Sequence, residues 1–156
     1  MVSLRKLLYR DLEWFKDTRK DCIQWLYEPK DYSLEEYQEW FEKDKPLFLV
    51  INIDGDDIGY IRTSEWENNR VKIGMDIHRD FRGKGYSKIS YEYFFESLKT
   101  RYVDSVWLDV LKKNERAIHI YKKLGFDVIG EKINPIDGEI ILSMEKHLQS
   151  NHISSV

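Results

Sequence analysis

Between Leu47 and Ile77 the chain carries three short β-type runs parted by two turn signals, and this pattern restricts the fold more than any other feature. The runs are Leu47-Phe-Leu-Val-Ile-Asn-Ile53, Ile58-Gly-Tyr-Ile-Arg-Thr63 and Val71-Lys-Ile-Gly-Met-Asp-Ile77. Asp54-Gly55 and Asn68-Asn69 lie between them, residue pairs that tolerate the positive φ angles of tight hairpins. The spacing predicts an antiparallel meander. The segment after it changes character at once: a glycine-rich loop, Arg82-Gly-Lys-Gly85, opens a helix from about Lys84 to Lys99. Its inward face is read as Tyr86, Ile89, Tyr93, Phe94 and Ser97 or Leu98.

The flanking segments complete an α/β (α+β) pattern. Val2 to Tyr9 reads as a strand, and Leu12, Phe15, Arg19 and Cys22 or Ile23 fall near helical spacing. Ser33-Leu-Glu-Glu36 is a capping box that starts a second helix, running to about Lys43, with Leu34, Tyr37, Trp40 and Phe41 inward. Pro46 ends it. Beyond the glycine loop, Val106 to Val110 is a strand and Asn114 to Leu124 a helix, with Gly125 suited to a left-handed C-cap. Phe126 to Ile129 and Glu139 to Met144 close the chain as strands. The order β-α-α-β-β-β-α-β-α-β-β implies a mixed, mostly antiparallel sheet of about six to seven strands flanked by about four helices. Residues 1–148 are expected to form one domain, with 149–156 a flexible tail.

Bulk properties exclude several function classes. A length of 156 residues suits one core. The net charge of −3 gives no reason to expect nucleic acid or an anionic membrane as partner. No apolar run approaches the roughly 20 residues of a membrane span, and the N-terminus does not read as a signal peptide. Cys22 is the single cysteine and can form no internal disulfide, which suits a reducing, cytoplasmic setting.

Chemistry concentrates in two places. The loop Arg82 to Ser87 sits between a strand and a helix N-terminus. Glycines there let backbone amides approach an anion, and Arg82 and Lys84 add positive charge. A diphosphate would fit, although a merely structural turn reads equally well from the loop alone. It matches neither the P-loop nor the dinucleotide fingerprint. Further on, Asn114 and Tyr121 lie seven apart and so on one helix face. They read either as a polar pair facing a cleft or as an N-cap asparagine with a core tyrosine.

Together these stretches resemble the GNAT acetyltransferase superfamily. Arg82-Gly-Lys-Gly85-Tyr-Ser87 is similar to its pyrophosphate signature [Q/R]-x-x-G-x-[G/A], with Ser87 departing at the last position. Asn114-Glu-Arg-Ala-Ile-His-Ile-Tyr121-Lys-Lys-Leu-Gly-Phe126 is similar to the second signature, N-x-x-A-x-x-x-Y-x-x-x-G-F. The resemblance covers nearly the whole chain. It implies acetyl-coenzyme A as acetyl donor, with no metal. By that likeness the amides of Arg82, Gly83, Lys84, Gly85, Tyr86, Ser87 and Lys88 would hold the pyrophosphate. The backbone of Met75, Asp76 and Ile77 would pair with the pantetheine arm, and Asn114 would bond it. Tyr121 would protonate the leaving thiolate. Asp109 matches a position where relatives carry a glutamate proposed as base, against the plainer reading of a strand carboxylate paired with lysine. Asp76 and Glu65 are further base candidates that read as surface charges, and His78 and His119 read as exposed.

The acceptor is the less defined half. The region Trp14 to Trp40 carries Trp14, Trp25, Tyr27, Tyr32 and Trp40, read either as helix core or as an aromatic acceptor cleft. The opening segments resemble the branch with ribosomal-protein and nucleotide-amino-sugar acetyltransferases. A small amine such as a nucleotide-linked amino sugar is therefore expected first, then a protein N-terminus or lysine, then a polyamine or antibiotic. The acidic residues Glu28, Asp31, Glu35, Glu36 and Glu39 would suit a cationic acceptor, or form a solvated face. A non-catalytic acyl-coenzyme A-binding module on the same fold is the alternative from another class. A homodimer through C-terminal strands is common among relatives of this kind.

Overall fold

The computed structural model describes residues 1–26 and 28–148. Tyr27 and the expected tail, residues 149–156, lie outside the described residues. Seven strands form one mixed sheet in the order β1-β2-β3-β4-β5-β7-β6. The strands are β1 Val2–Lys6, β2 Phe48–Ile53, β3 Asp56–Glu67, β4 Arg70–Ile77, β5 Ser105–Leu111, β6 Asp127–Ile133 and β7 Ile140–His147. The helices are α1 Leu12–Lys20, α2 Leu34–Asp44, α3 Tyr86–Lys99 and α4 Glu115–Lys123. This is the element order expected from the sequence.

Both hairpin signals act as read. Asp54 and Gly55 take φ of 51° and 96°, Asn68 and Asn69 of 51° and 60°. Paired positive φ values give a turn whose twist matches that of the strands it joins. The β4–β5 ladder, Arg70–Lys72 against Ser105–Trp107, is parallel. It is made possible by the long crossover through α3.

The described residues group into two compact units, Met1–Thr63 with Gly74–Ser87, and Ser64–Ile73 with the described part of Lys88–Val156. In the first, β1 pairs with β2 and β2 with β3, antiparallel. Leu7, Leu12, Phe15, Tyr37, Val50 and Tyr60 form the core, with Trp14, Tyr32, Leu34, Trp40, Phe41 and Phe48 packed on it. The inward face expected for α2 is thus observed, and Trp14, Tyr32 and Trp40 serve the core. Trp25 does not, at 41% exposure. Ser33 closes the expected capping box, its Oγ accepting from Glu36 N at 3.1 Å while Ser33 N donates to the Glu36 carboxylate. In the second unit β5, β7 and β6 pair antiparallel.

The inward face of α3 differs from the expectation. Ser90, Tyr91, Phe94, Phe95 and Leu98 are buried, whereas Ile89 and Tyr93 are 47% and 45% exposed. Aromatic residues lie on both sides of this helix, so apolarity alone could not select the stripe. The helix also starts at Tyr86, two residues later than read, because Gly85 is held at φ 78°.

Phe15 is the centre of the first core. Its ring lies 4.5 Å from that of Tyr60, 5.5 Å from Tyr37, 5.6 Å from Phe48 and 5.7 Å from Trp40. Truncation would remove most of these contacts at once. Phe15→Ala should lower unfolding free energy by about 3–5 kcal/mol, read by chemical denaturation; a loss below about 1 kcal/mol would contradict this packing.

Candidate active site

In the first unit, β4 leads through Met75, Asp76 and Ile77 into a single 3-10 turn, Arg79–Phe81, and then the glycine loop. Gly83 and Gly85 take φ of 75° and 78°, a region L-residues avoid. A Cβ at either would meet no atom within 4 Å, so the requirement is backbone conformation and not internal packing. The loop is therefore open on that side, and the first turn of the 14-residue α3 presents its unpaired amides there. These features fit a diphosphate. Arg82 donates from Nε to Ile77 O at 2.8 Å and from Nη2 to Cys22 Sγ at 3.2 Å. Lys84 lies over the Phe81 ring, 5.8 Å from its centroid. Burial and the charge of Asp76 push the Cys22 thiol up to about 12, so it stays protonated.

Two residues read as surface groups are buried. His78, 7% exposed, accepts from Asp80 N through Nδ1 at 3.2 Å and meets Asp17 through Nε2 at 3.0 Å. The Nδ1 acceptor role places a proton on Nε2, which donates to Asp17. Arg79 adds contacts to Asp17 and Asp21 at 3.1 Å. Hydrogen bonds from His78 and Arg79 hold the Asp17 carboxyl below its usual range. Sequence could not reveal this link because its partners are 61 and 62 residues apart. Asp76 is also 7% exposed, because its strand face turns into the unit; Tyr60 Oη donates to its Oδ2 at 2.5 Å. Glu65 and His119 are exposed as expected.

The second unit holds the other candidates. Asn114 caps α4, its Oδ1 accepting from Ala117 N at 3.3 Å. Tyr121 is half-buried on the same helix, its ring 6.0 Å from Tyr91 and 5.7 Å from Phe126. Tyr91 Oη lies 3.5 Å from Tyr121 Oη. The Tyr91 and Phe126 rings thus fix the direction of the phenol. Lys88 faces Glu92 at 3.9 Å.

Asp109, on β5, is densely held. Ser143 Oγ donates to Oδ1 at 2.6 Å, while Lys132 and Lys72 reach Oδ2 at 2.8 and 3.1 Å. Burial opposes its charge, but bonds from Lys132 and Ser143 and the nearby Lys72 more than offset this, holding the carboxyl below its usual range. A carboxylate so held accepts protons less readily than a free one. Lys132 and Ser143 were not singled out in the sequence; only the β6–β7–β5 pairing brings them to Asp109.

The model of the acetyltransferase (GNAT) family matches residues 8–126, well over half of the chain. The chain belongs to the GNAT family. It is an acetyl-coenzyme A-dependent N-acetyltransferase of that family. The enzyme is 29% identical over 142 residues to spermidine N(1)-acetyltransferase of Escherichia coli, covering 83% of this chain and 75% of the relative. It is 38% identical over 90 residues to the ribosomal protein bS18-alanine N-acetyltransferase of Salmonella typhimurium, covering 56% and 61%. Among solved structures, a spermidine N-acetyltransferase from Vibrio cholerae, in complex with CoA and spermine, superposes with a TM-score of 0.84 at 18% identity, over 94% of this chain and 95% of that one. At that identity the likeness concerns the fold alone. No helix among the described residues is long and apolar enough to cross a membrane.

The Asp109 cluster has a pH signature. Asp109→Asn should lower stability at neutral pH by about 1–3 kcal/mol. A depressed native pKa contributes fully above the unfolded value, ordinarily 3.8, and is lost as pH falls through the lower native value. The gap between variant and wild type should therefore be constant from pH 7 to 5 and close below pH 4 in denaturation curves.

Proposed function

We propose that this enzyme acetylates a primary amine of a polyamine. The observation that carries the reading is the similarity to spermidine N(1)-acetyltransferase across 83% of the chain. Charge supports it independently. Residues 11–44, which span α1 and α2, hold eleven acidic and five basic side chains, although the whole chain is only −3. Of these acids, Asp31 is paired with Lys16 and Glu36 serves the capping box, while Glu35 and Glu39 are exposed. A local excess of negative charge concentrates polycations and repels nucleotide-linked sugars, whose phosphates are anionic. The amino-sugar acceptor expected first from the sequence has no comparable support, and its polyamine alternative replaces it.

In this reading the amides from Arg82 to Lys88 bind the pyrophosphate of acetyl-coenzyme A, and the backbone of Met75, Asp76 and Ile77, with Asn114, binds the pantetheine arm. The neutral amine attacks the thioester carbonyl, the C–S bond breaks, and Tyr121 gives its proton to the departing thiolate. The ammonium first loses a proton through a water chain, in which the tightly paired Asp109 is a weak acceptor, and the proton shed by the nitrogen after attack restores the Tyr121 phenol. A cytoplasmic location and a homodimer accord with this role.

The test is thiol release from acetyl-coenzyme A with a panel of spermidine, spermine, UDP- and dTDP-amino sugars and short peptides. Spermidine or spermine should give the highest kcat/KM. A preference for peptides would favour protein N-terminal acetylation, toward which the bS18-alanine relative points. Thermal stabilisation by coenzyme A with no turnover on any amine would favour a binding module.

Two variants probe the donor side. Tyr121→Phe should lower kcat by about 100-fold with acetyl-coenzyme A affinity nearly intact; unchanged turnover at saturation would remove the acid role. Gly85→Glu should abolish acetyl-coenzyme A binding in calorimetry, because it strains the left-handed turn and sets a carboxylate against the diphosphate.

A further inference from the structure

The turn that leads into the glycine loop is tied to one short stretch of chain, the last turn of α1 and the two residues after it. Asp17, on α1, receives both His78 and Arg79. Nε2 of His78 donates to its Oδ2 at 3.0 Å, while Nη1 and Nη2 of Arg79 donate to Oδ1 and Oδ2 at 3.1 and 3.2 Å. Arg79 Nη1 also reaches Asp21 at 3.1 Å, and Arg82 Nη2 reaches Cys22 Sγ at 3.2 Å. The turn is closed on itself as well. His78 N donates to Ile58 O at 2.8 Å, Phe81 N to His78 O at 2.9 Å and Arg82 Nε to Ile77 O at 2.8 Å.

α1 is a firm post for these bonds, because Phe15 and Thr18, before and after Asp17 in the helix, are 2% and 0% exposed. The Asp17 and Arg79 side chains are themselves 45% and 47% exposed. Ion pairs so exposed contribute little to folding. Three hydrogen bonds on one carboxylate do, however, fix direction. His78 already spends Nδ1 on Asp80 N, so the proton on Nε2 is the ring's remaining bond, and Asp17 holds the ring that caps the turn. Direction matters here, because the loop opens at Arg82, three residues beyond Arg79. By charge alone Asp17 and Asp21 would repel a diphosphate; by geometry they hold the loop that binds it.

We propose that Asp17 is a positioning residue for acetyl-coenzyme A binding. It touches neither cosubstrate and acts through His78 and Arg79, keeping the entry of the glycine loop in the orientation that aims its amides at the diphosphate. Less conformational freedom is then lost when the cosubstrate binds. This rests on the reading that the amides from Arg82 to Lys88 hold the pyrophosphate, and extends it to a residue on another element. The sign is diagnostic: removing a negative charge on this side of the protein should weaken the binding of an anion.

The experiment measures the acetyl-coenzyme A Kd by calorimetry for the wild type, Asp17→Ala, Asp17→Asn, Arg79→Ala, the Asp17→Ala/Arg79→Ala double variant and Gly85→Glu. Each is measured well below its melting temperature, so that lost stability does not enter. Asp17→Ala should raise Kd by about five- to tenfold. Asp17→Asn keeps an acceptor for His78 and should raise it by a smaller factor. The double variant should bind no more weakly than the weaker single one, because both break the same link. If Asp17→Ala does not fold, Asp17→Asn decides. A Kd unchanged or lowered in the folded Asp17 variants, or additive losses in the double variant, would overturn the proposal while wild-type binding stood. Absence of binding by the wild type, or undiminished binding by Gly85→Glu, would instead refute the pyrophosphate assignment, and this proposal with it.

Discussion

Gly83 and Gly85, held at φ of 75° and 78°, let the chain pass from the extended backbone of β4 to the helical backbone of α3 within a few residues. The proposed donor site depends on that passage. Only residues without a Cβ adopt such angles cheaply, and the turn they make leaves the helix's first amides uncovered. The preceding turn is fixed as well. His78 N bonds to Ile58 O at 2.8 Å, its ring caps Asp80 N, and Arg79 reaches Asp17 and Asp21 on and just beyond α1. An anion-binding loop works best when its amides are already oriented, because little conformational entropy is then lost on binding.

Charge is placed with similar economy. Asp11 and Asp109 are carboxylates closed by two or more donors, and both lie below their usual pKa range. Such groups stabilise the fold at neutral pH but are weak bases. Asp76, on β4, accepts from the Tyr60 hydroxyl and pairs with Arg62.

Donor and acceptor recognition rest on different kinds of information. In the proposed reading the donor side uses backbone geometry and two side chains on one helix. In the same reading the acceptor side depends on the charge and shape of α1, α2 and the residues between them. The proposed cationic acceptor draws its support from the balance of charge in residues 11–44 more than from any single motif.

Much of this protein was legible in the chain itself. Local rules determined the element order, both hairpin turns, the Ser33 cap and the glycine loop, since each depends on residues within a few positions of one another. The family signatures were equally local. The tertiary structure alone decided which carboxylates are charges in water and which are buried. Asp76 read as a surface residue because strand alternation does not say which face is covered, and His78 because its partner lies 61 positions away. The same holds for α3, whose aromatic residues occupy both faces until packing buries Tyr91, Phe94 and Phe95 and leaves Tyr93 outside. Conformational preference is a property of neighbours in sequence; burial and electrostatics are properties of neighbours in space.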